Sequence, residues 1–208
     1  MVRLAIDTTS GFVQIALDLR GKIFVKKSDH DNAQAEEVAV LLQGLLKESG
    51  VSMREVEEVF CLVGPGSFTG LRVGVAFVKG LVLGSDIKVV PVTNFHFYLA
   101  NYLIEFKVYE NADVLINCGK NKEEFFCQTI SSKFSNTKKA KIISYDQVTK
   151  FKSKNLVLGD FDKLIAQPDE NFFASQYKSL NIENIFKLPD LSDEYTFEPL
   201  YIRPTYVT

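Results

Sequence analysis

Gly64-Pro65-Gly66-Ser67-Phe68-Thr69-Gly70-Leu71-Arg72-Val73-Gly74 stands between two segments of opposite habit. Residues 58–63 before it are a short apolar run, the pattern of a strand buried on both faces. Residues from about 70 to 83 after it repeat at helical spacing, so the stretch is a strand-to-helix turn. Gly64 and Gly66 flank a proline of fixed φ, which gives a tight turn open to positive φ. Ser67 or Thr69 is placed to cap the helix, whose free N–H groups tolerate an anion. Two familiar phosphate loops fail on count. A dinucleotide loop needs G-x-G-x-x-G, whereas Gly64, Gly66 and Gly70 are spaced G-x-G-x-x-x-G. A P-loop closes on Gly-Lys-Ser/Thr, and here Leu71 follows Gly70. A turn that binds nothing is the plainer reading of the loop alone.

Outward from this turn the pattern stays regular. Val2, Leu4 and Ile6 alternate as in a strand, and 12–17 and 23–26 read as two more, the latter joined through Leu19-Arg20-Gly21-Lys22. Asp31 and Gln34 have the spacing of a capping box. Ala35, Val38, Leu41, Leu42 and Leu45 then repeat helically until Gly50. Residues 87–92 form another strand, after which Thr93 or Asn94 can cap a helix running through Leu103. Three strands, helix, strand, helix, strand, helix predicts a mixed sheet covered by helices. The second half is weaker, with strands expected at 113–117, 125–130 and 156–158 between lysine-rich stretches. A boundary near residue 100 divides a first lobe, 1–100, from a smaller one, 101–208. No sequence repeat is visible.

In the helix after the turn, Gly70 and Gly74 lie four apart, as do Ala76, Gly80 and Gly84. Glycine costs on the order of 1 kcal/mol against alanine in a helix. A sequence that accepts this several times needs close approach, either within the fold or by a partner helix.

The 208 residues carry 46% hydrophobic and 24% charged side chains with a net charge of −2, the composition of an ordinary globular protein rather than a broadly basic nucleic-acid binder. Cys61, Cys118 and Cys127 make an odd count without a disulfide framework. The start of the chain lacks a signal peptide's apolar run, and no stretch approaches the ~20 apolar residues of a membrane span. A cytoplasmic protein without membrane contact is expected. Lys133, Lys138, Lys139, Lys141, Lys150, Lys152 and Lys154 cluster with one acid, Asp146. A solvated loop face explains this cluster first; contact with the phosphates of a nucleic acid is the sharper alternative.

The eleven-residue turn resembles the signature of the TsaB (YeaZ) family, relatives of the actin/sugar-kinase/Hsp70 group. The similarity runs from Ile6-Asp7-Thr8-Thr9 to Pro91-Val92-Thr93, and returns in Glu198-Pro199-Leu200-Tyr201-Ile202-Arg203-Pro204. It implies an actin-like (ASKHA) α/β fold of two RNase H-like lobes, each a mixed sheet flanked by helices. The second lobe would be smaller, with the tail packing on the first.

The resemblance is shared with a catalytic paralogue, TsaD, so the residues must decide between enzyme and scaffold. The paralogue's His-x-x-x-His metal pair falls here on Asn94 and Tyr98, which cannot replace two imidazoles. His96 lies between them on another face of the helix, and His30 has no acidic partner. The family's His-Ser-Glu reads Gln34-Ala35-Glu36. No metal ligand set, cofactor or catalytic residue is therefore expected.

The kinase-type Asp-x-Gly-Thr hairpin reads Asp7-Thr8-Thr9-Ser10, leaving Asp7 as the candidate for a residual nucleotide site or, more simply, a hairpin hydrogen bond. Asn117-Cys118-Gly119-Lys120 lacks the second acidic turn, and Gly159-Asp160 lacks a double glycine. Ser67 and Thr69 have no base.

The resemblance instead implies a non-catalytic scaffold that dimerises with TsaD through its first two helices, 33–48 and 70–84. The candidate interface is Val38, Leu41, Leu42, Leu45, Gly70, Val73, Gly74, Phe77, Gly80 and Leu81, with core packing competing for the same residues. Further implied partners are an ATPase subunit of the same complex, tRNA met through the complex, and a second copy when the partner is absent. Two other readings stay open: an actin-like ATP-binding enzyme or small-molecule kinase using Asp7, and a metalloprotease-like hydrolase.

Overall fold

The computed structural model describes residues 1–29, 33–103, 107–118, 124–136, 139–150, 153–159, 171–174, 179–191 and 196–202. They fall into two compact units, one of Met1–Phe97 with Asn181–Leu200, the other of Tyr98–Leu180 with the residues from Tyr201 on.

The first unit is built on β1 (Val2–Asp7), β2 (Gln14–Leu19), β3 (Lys22–Lys27), α1 (Gln34–Ser49), β4 (Glu58–Gly64), α2 (Phe68–Val82) and β5 (Lys88–Thr93). Sheet order is β3-β2-β1-β4-β5, with the first three strands antiparallel and β4 and β5 parallel to β1. Alternation sends Leu4, Ile6, Ile15, Leu17, Val59 and Cys61 to one face, where Val38, Leu42 and Leu45 of α1 and Val75 and Val78 of α2 close the core. On the other face Arg3 donates to Asp18 Oδ2 (2.5 Å) and to the Phe186 carbonyl (3.1 Å). Its guanidinium also lies 4.9 Å from the Phe186 ring centre. These contacts hold a 3-10 turn, Ile182–Lys187, against the sheet. Helix α1 stops where Gly50 takes φ 70°, returning its N–H to the Leu46 carbonyl. Asp31, the expected cap, lies outside the described residues, as does His30.

The second unit contains β6 (Asn111–Asn117), β7 (Glu124–Ser131), β8 (Lys141–Ser144), α4 (Tyr145–Thr149), β9 (Leu156–Gly159) and β10 (Phe172–Ala174). A helix shared in sequence by both units, α3 (Asn94–Asn101), precedes it. The sheet order β10-β9-β6-β7-β8 repeats the first sheet strand for strand, antiparallel through β6-β7-β8 and parallel through β6-β9-β10. Two mixed sheets of RNase H-like topology are thus present, as the two-lobe α/β expectation requires. Three elements lay beyond the sequence reading: β8, β10 and α4. The strands are only four and three residues long, too short to show a period. Helix α4 has five residues and is set by a capping box in which Ser144 and Gln147 bond each other's backbone. Among the described residues no helix is long and apolar enough to cross a membrane.

Candidate functional site: the hairpin and the glycine turn

The end of β1 and the start of α2 meet at atomic contact. The Thr8 hydroxyl donates to the Gly70 carbonyl at 2.7 Å, and Ser67 N–H donates to the Thr9 carbonyl at 2.7 Å. A Cβ on Gly70 would lie 2.0 Å from Thr8 O, one on Gly74 2.3 Å from Thr8 Oγ1, and one on Gly66 2.6 Å from Thr9 O. Three glycines of the turn are therefore explained inside the unit: their missing side chains are the space occupied by Thr8 and Thr9. At Gly70 and Gly74 the close approach is made by the residue that follows the chain's own strand end. Gly64 takes φ 109° before a cis Pro65, and Ser67 caps α2 by accepting from Gly70 N–H at 3.2 Å.

Asp7 anchors the same corner. Its Oδ1 accepts both the N–H and the hydroxyl of Thr9 at 2.7 Å, and Thr9 Oγ1 accepts from Asn94 Nδ2 at 2.7 Å. Asp7, Thr8, Thr9 and Asn94 are all buried. The positive φ expected of a phosphate hairpin occurs at Gly11 (φ 93°), past the threonines. Behind the corner, burial and the negative charge of Asp7 push the Cys61 thiol far above its ordinary range.

Of the metal-pair positions, Asn94 is engaged with the hairpin and Tyr98 is fully buried. His96 is also buried and shares a 2.8 Å hydrogen bond between its Nδ1 and Thr93 Oγ1. Among the described residues no three His, Cys, Asp or Glu side chains gather as metal ligands would. In the second unit Asn117 ends β6 and Cys118 follows it; Gly119, Lys120 and Asp160 lie outside the described residues. A Cβ on Gly159 would lie 2.0 Å from Leu115 O.

The predicted interface residues divide by exposure. Val38, Leu42 and Leu45 are in the core at 2%, 4% and 0% exposure, and Gly70 and Gly74 are buried under Thr8. Leu41, Val73, Phe77 and Leu81 are half-buried, packed along the core edge. Gly80 is exposed, with nothing within 4 Å of a built Cβ. Sequence reading missed the most exposed apolar members of this surface, Val40 (65%), Phe68 (42%) and Leu83 (85%). For Val40 the signal was available in its helical phase, opposite the buried stripe of α1; Phe68 opens α2 and Leu83 follows it, where helical phase carries no such signal. On the far flank of α2, Lys79 pairs with Glu198 at 2.5 Å, and Leu200 N–H donates to the Val63 carbonyl at 2.7 Å.

Comparison with known proteins places this geometry. The family model described as TsaD, tRNA N6-adenosine threonylcarbamoyltransferase, matches residues 29–164. The tRNA threonylcarbamoyladenosine biosynthesis protein TsaB of Haemophilus influenzae is 30% identical over 130 residues, covering 62% of this chain and 54% of that protein. A tRNA N6-adenosine threonylcarbamoyltransferase of Nitratidesulfovibrio vulgaris is 47% identical over 55 residues, 26% of this chain and 15% of that one. The chain spans about half the length of the first of these curated relatives and less of the others. The solved structure of YeaZ from Pseudomonas aeruginosa superposes with a TM-score of 0.73 at 18% identity, over 97% of this chain and 99% of that one. The fold is thus that of YeaZ, and the chain belongs to the TsaD family and, within it, to the TsaB (YeaZ) branch.

Proposed function

We propose that this protein is a non-catalytic subunit in the synthesis of threonylcarbamoyladenosine in tRNA, acting by docking onto a catalytic TsaD-type paralogue. The observation that carries the reading is the closed corner: Thr8 and Thr9 fill the glycine turn, and Asn94, at the metal-pair position, bonds Thr9. Asp7 Oδ1, the Thr9 N–H and hydroxyl, and Asn94 Nδ2 are engaged within the chain. With that site occupied internally, function moves to a surface.

The exposed side of α1 and α2 supplies it. Val40, Phe68, Gly80 and Leu83 stand outward, and Leu41, Val73, Phe77 and Leu81 form a half-buried seam. Buried Val38, Leu42, Leu45, Gly70 and Gly74 hold the two helices in place beneath. The same face serves self-association when the paralogue is absent.

Reconstitution tests the reading. The chain alone should form no threonylcarbamoyladenosine, while its addition to the catalytic paralogue should raise the yield of modified tRNA. Activity of the isolated chain would refute the non-catalytic role. Calorimetry with Mg-ATP should stay silent to millimolar nucleotide; heat at micromolar ligand would favour the kinase-like reading through Asp7.

A further inference from the structure

Among the described residues of the second unit, lysines from four separate loops are brought near one another by the sheet. Asn111 at the start of β6 pairs with Ser131 at the end of β7, and Ala112 pairs with Leu156 at the start of β9. Lys141 opens β8 opposite Cys127. Lys107 before β6, Lys133 after β7 and Lys154 before β9 therefore share one end of the sheet, and Lys139, before β8, lies on the edge beside it. All four are exposed, as are Lys141 and Lys150, and among the described residues no ion pair joins any of the six. Glu110 and Asp146 are the nearby exposed acids. Residues 133–154 carry seven lysines and one acid in a chain of net charge −2, so the positive charge is concentrated here.

The end is also held rigid. Asp113, buried in β6, accepts from Thr129 Oγ1 (2.5 Å), Ser153 Oγ (2.7 Å) and Asn155 Nδ2 (2.9 Å). Asn171 Nδ2 donates to the carbonyls of Ser153 and Asn155. Lys154 is thus presented between two pinned residues. A loop that served only to be solvated would not need three side chains fixed on one buried carboxylate.

We propose that this end of the second sheet is an RNA-backbone contact surface. Four strands at about 4.8 Å spacing make a front of roughly 15 Å, wide enough to meet several phosphates. The choice of RNA as the polyanion rests on the function proposed above; the charge geometry does not. Binding uses phosphate neutralisation and is sequence-independent.

Fluorescence anisotropy of the full chain with an unmodified tRNA transcript at several salt concentrations tests this without the catalytic paralogue. Wild type should bind at 50 mM salt with a steep salt dependence. Lys133→Glu/Lys139→Glu/Lys154→Glu should weaken binding at least tenfold and lower the log–log salt slope by about 3. Lys22→Glu/Lys27→Glu/Lys47→Glu, the same charge change on the first unit, should retain most of it. Equal loss in both variants, no binding by wild type, or equal competition by polyglutamate would overturn the proposal. A chain that binds the paralogue but not tRNA refutes this surface alone; the reverse refutes the docking reading alone.

Discussion

The two sheets share one strand order but spend their polar residues at opposite ends. In the first, the buried carboxylate Asp7 sits at the carboxyl end of β1, where open α/β sheets ordinarily receive ligands. Its bonds go to Thr9 and, through it, to Asn94. In the second, Asp113 lies near the amino end of β6 and fixes the turn that carries Lys154. One topology thus closes a ligand corner in one unit and stiffens a basic rim in the other. Fold alone therefore does not place function here; the side chains at each strand end do.

The sharpest way to break this comparison is at the two glycines with equal clearance. A Cβ at Gly70 meets the Thr8 carbonyl just past β1, and one at Gly159 the Leu115 carbonyl within β6, each at 2.0 Å. Backbone cannot move aside as a side chain can, so Gly70→Ala and Gly159→Ala should each cost about 3 kcal/mol. Thermal melts would check the size, and hydrogen exchange the place. Exchange should rise along β1–β4 for the first variant and along β6–β9 for the second. An effect below ~0.5 kcal/mol at either site would show that the close approach is not structural.

Asp113→Ala comes next. It strands three donors, and bonds to a carboxylate are worth more than neutral ones, so about 2 kcal/mol should be lost in denaturant titration. Asp7→Asn keeps an acceptor at the hairpin and should cost about 1 kcal/mol, with the isolated chain's threonylcarbamoyl transfer remaining at zero. A larger loss for Asp7→Asn than for Asp113→Ala would reverse the contrast drawn here.

Much of the first unit was legible in sequence. Its strands run six or seven residues, alternating at β1 and continuously apolar before the glycine turn, and α1 and α2 carry helical stripes. The glycine turn was readable as a strand-to-helix corner capped by Ser67 or Thr69, and the structure chooses Ser67. What fills it was not, because Thr8 is sixty-two residues away from Gly70 and only the β1–β4 pairing brings them together. Leu45 shows the same limit. Its helical phase was plain, but its complete burial follows from the sheet beneath it, so a charge there would test the core and not the partner face. In the second unit Asp113, a charge opening an otherwise apolar strand, was the missed signal. Its donors come from β7 and from the loop before β9, which no local pattern connects.

The smallest effect expected is chemical. Under native conditions an exposed-thiol reagent at pH 8 should modify Cys118, which is half-buried, well before Cys61 or Cys127, both buried. The Cys61 thiol is held up by burial and by the charge of Asp7, so it stays protonated and inert. Equal rates at the three positions would mean that the hairpin corner opens readily.

The central claim is that the outer side of α1 and α2 is a docking face, and sedimentation of the chain mixed with the catalytic paralogue tests it most directly. The two should form a heterodimer at micromolar concentration. Gly80→Arg, which fills open space and leaves the core untouched, should weaken it at least tenfold. Two species sedimenting separately at that concentration, or a complex indifferent to Gly80→Arg paired with Val40→Glu, would contradict it.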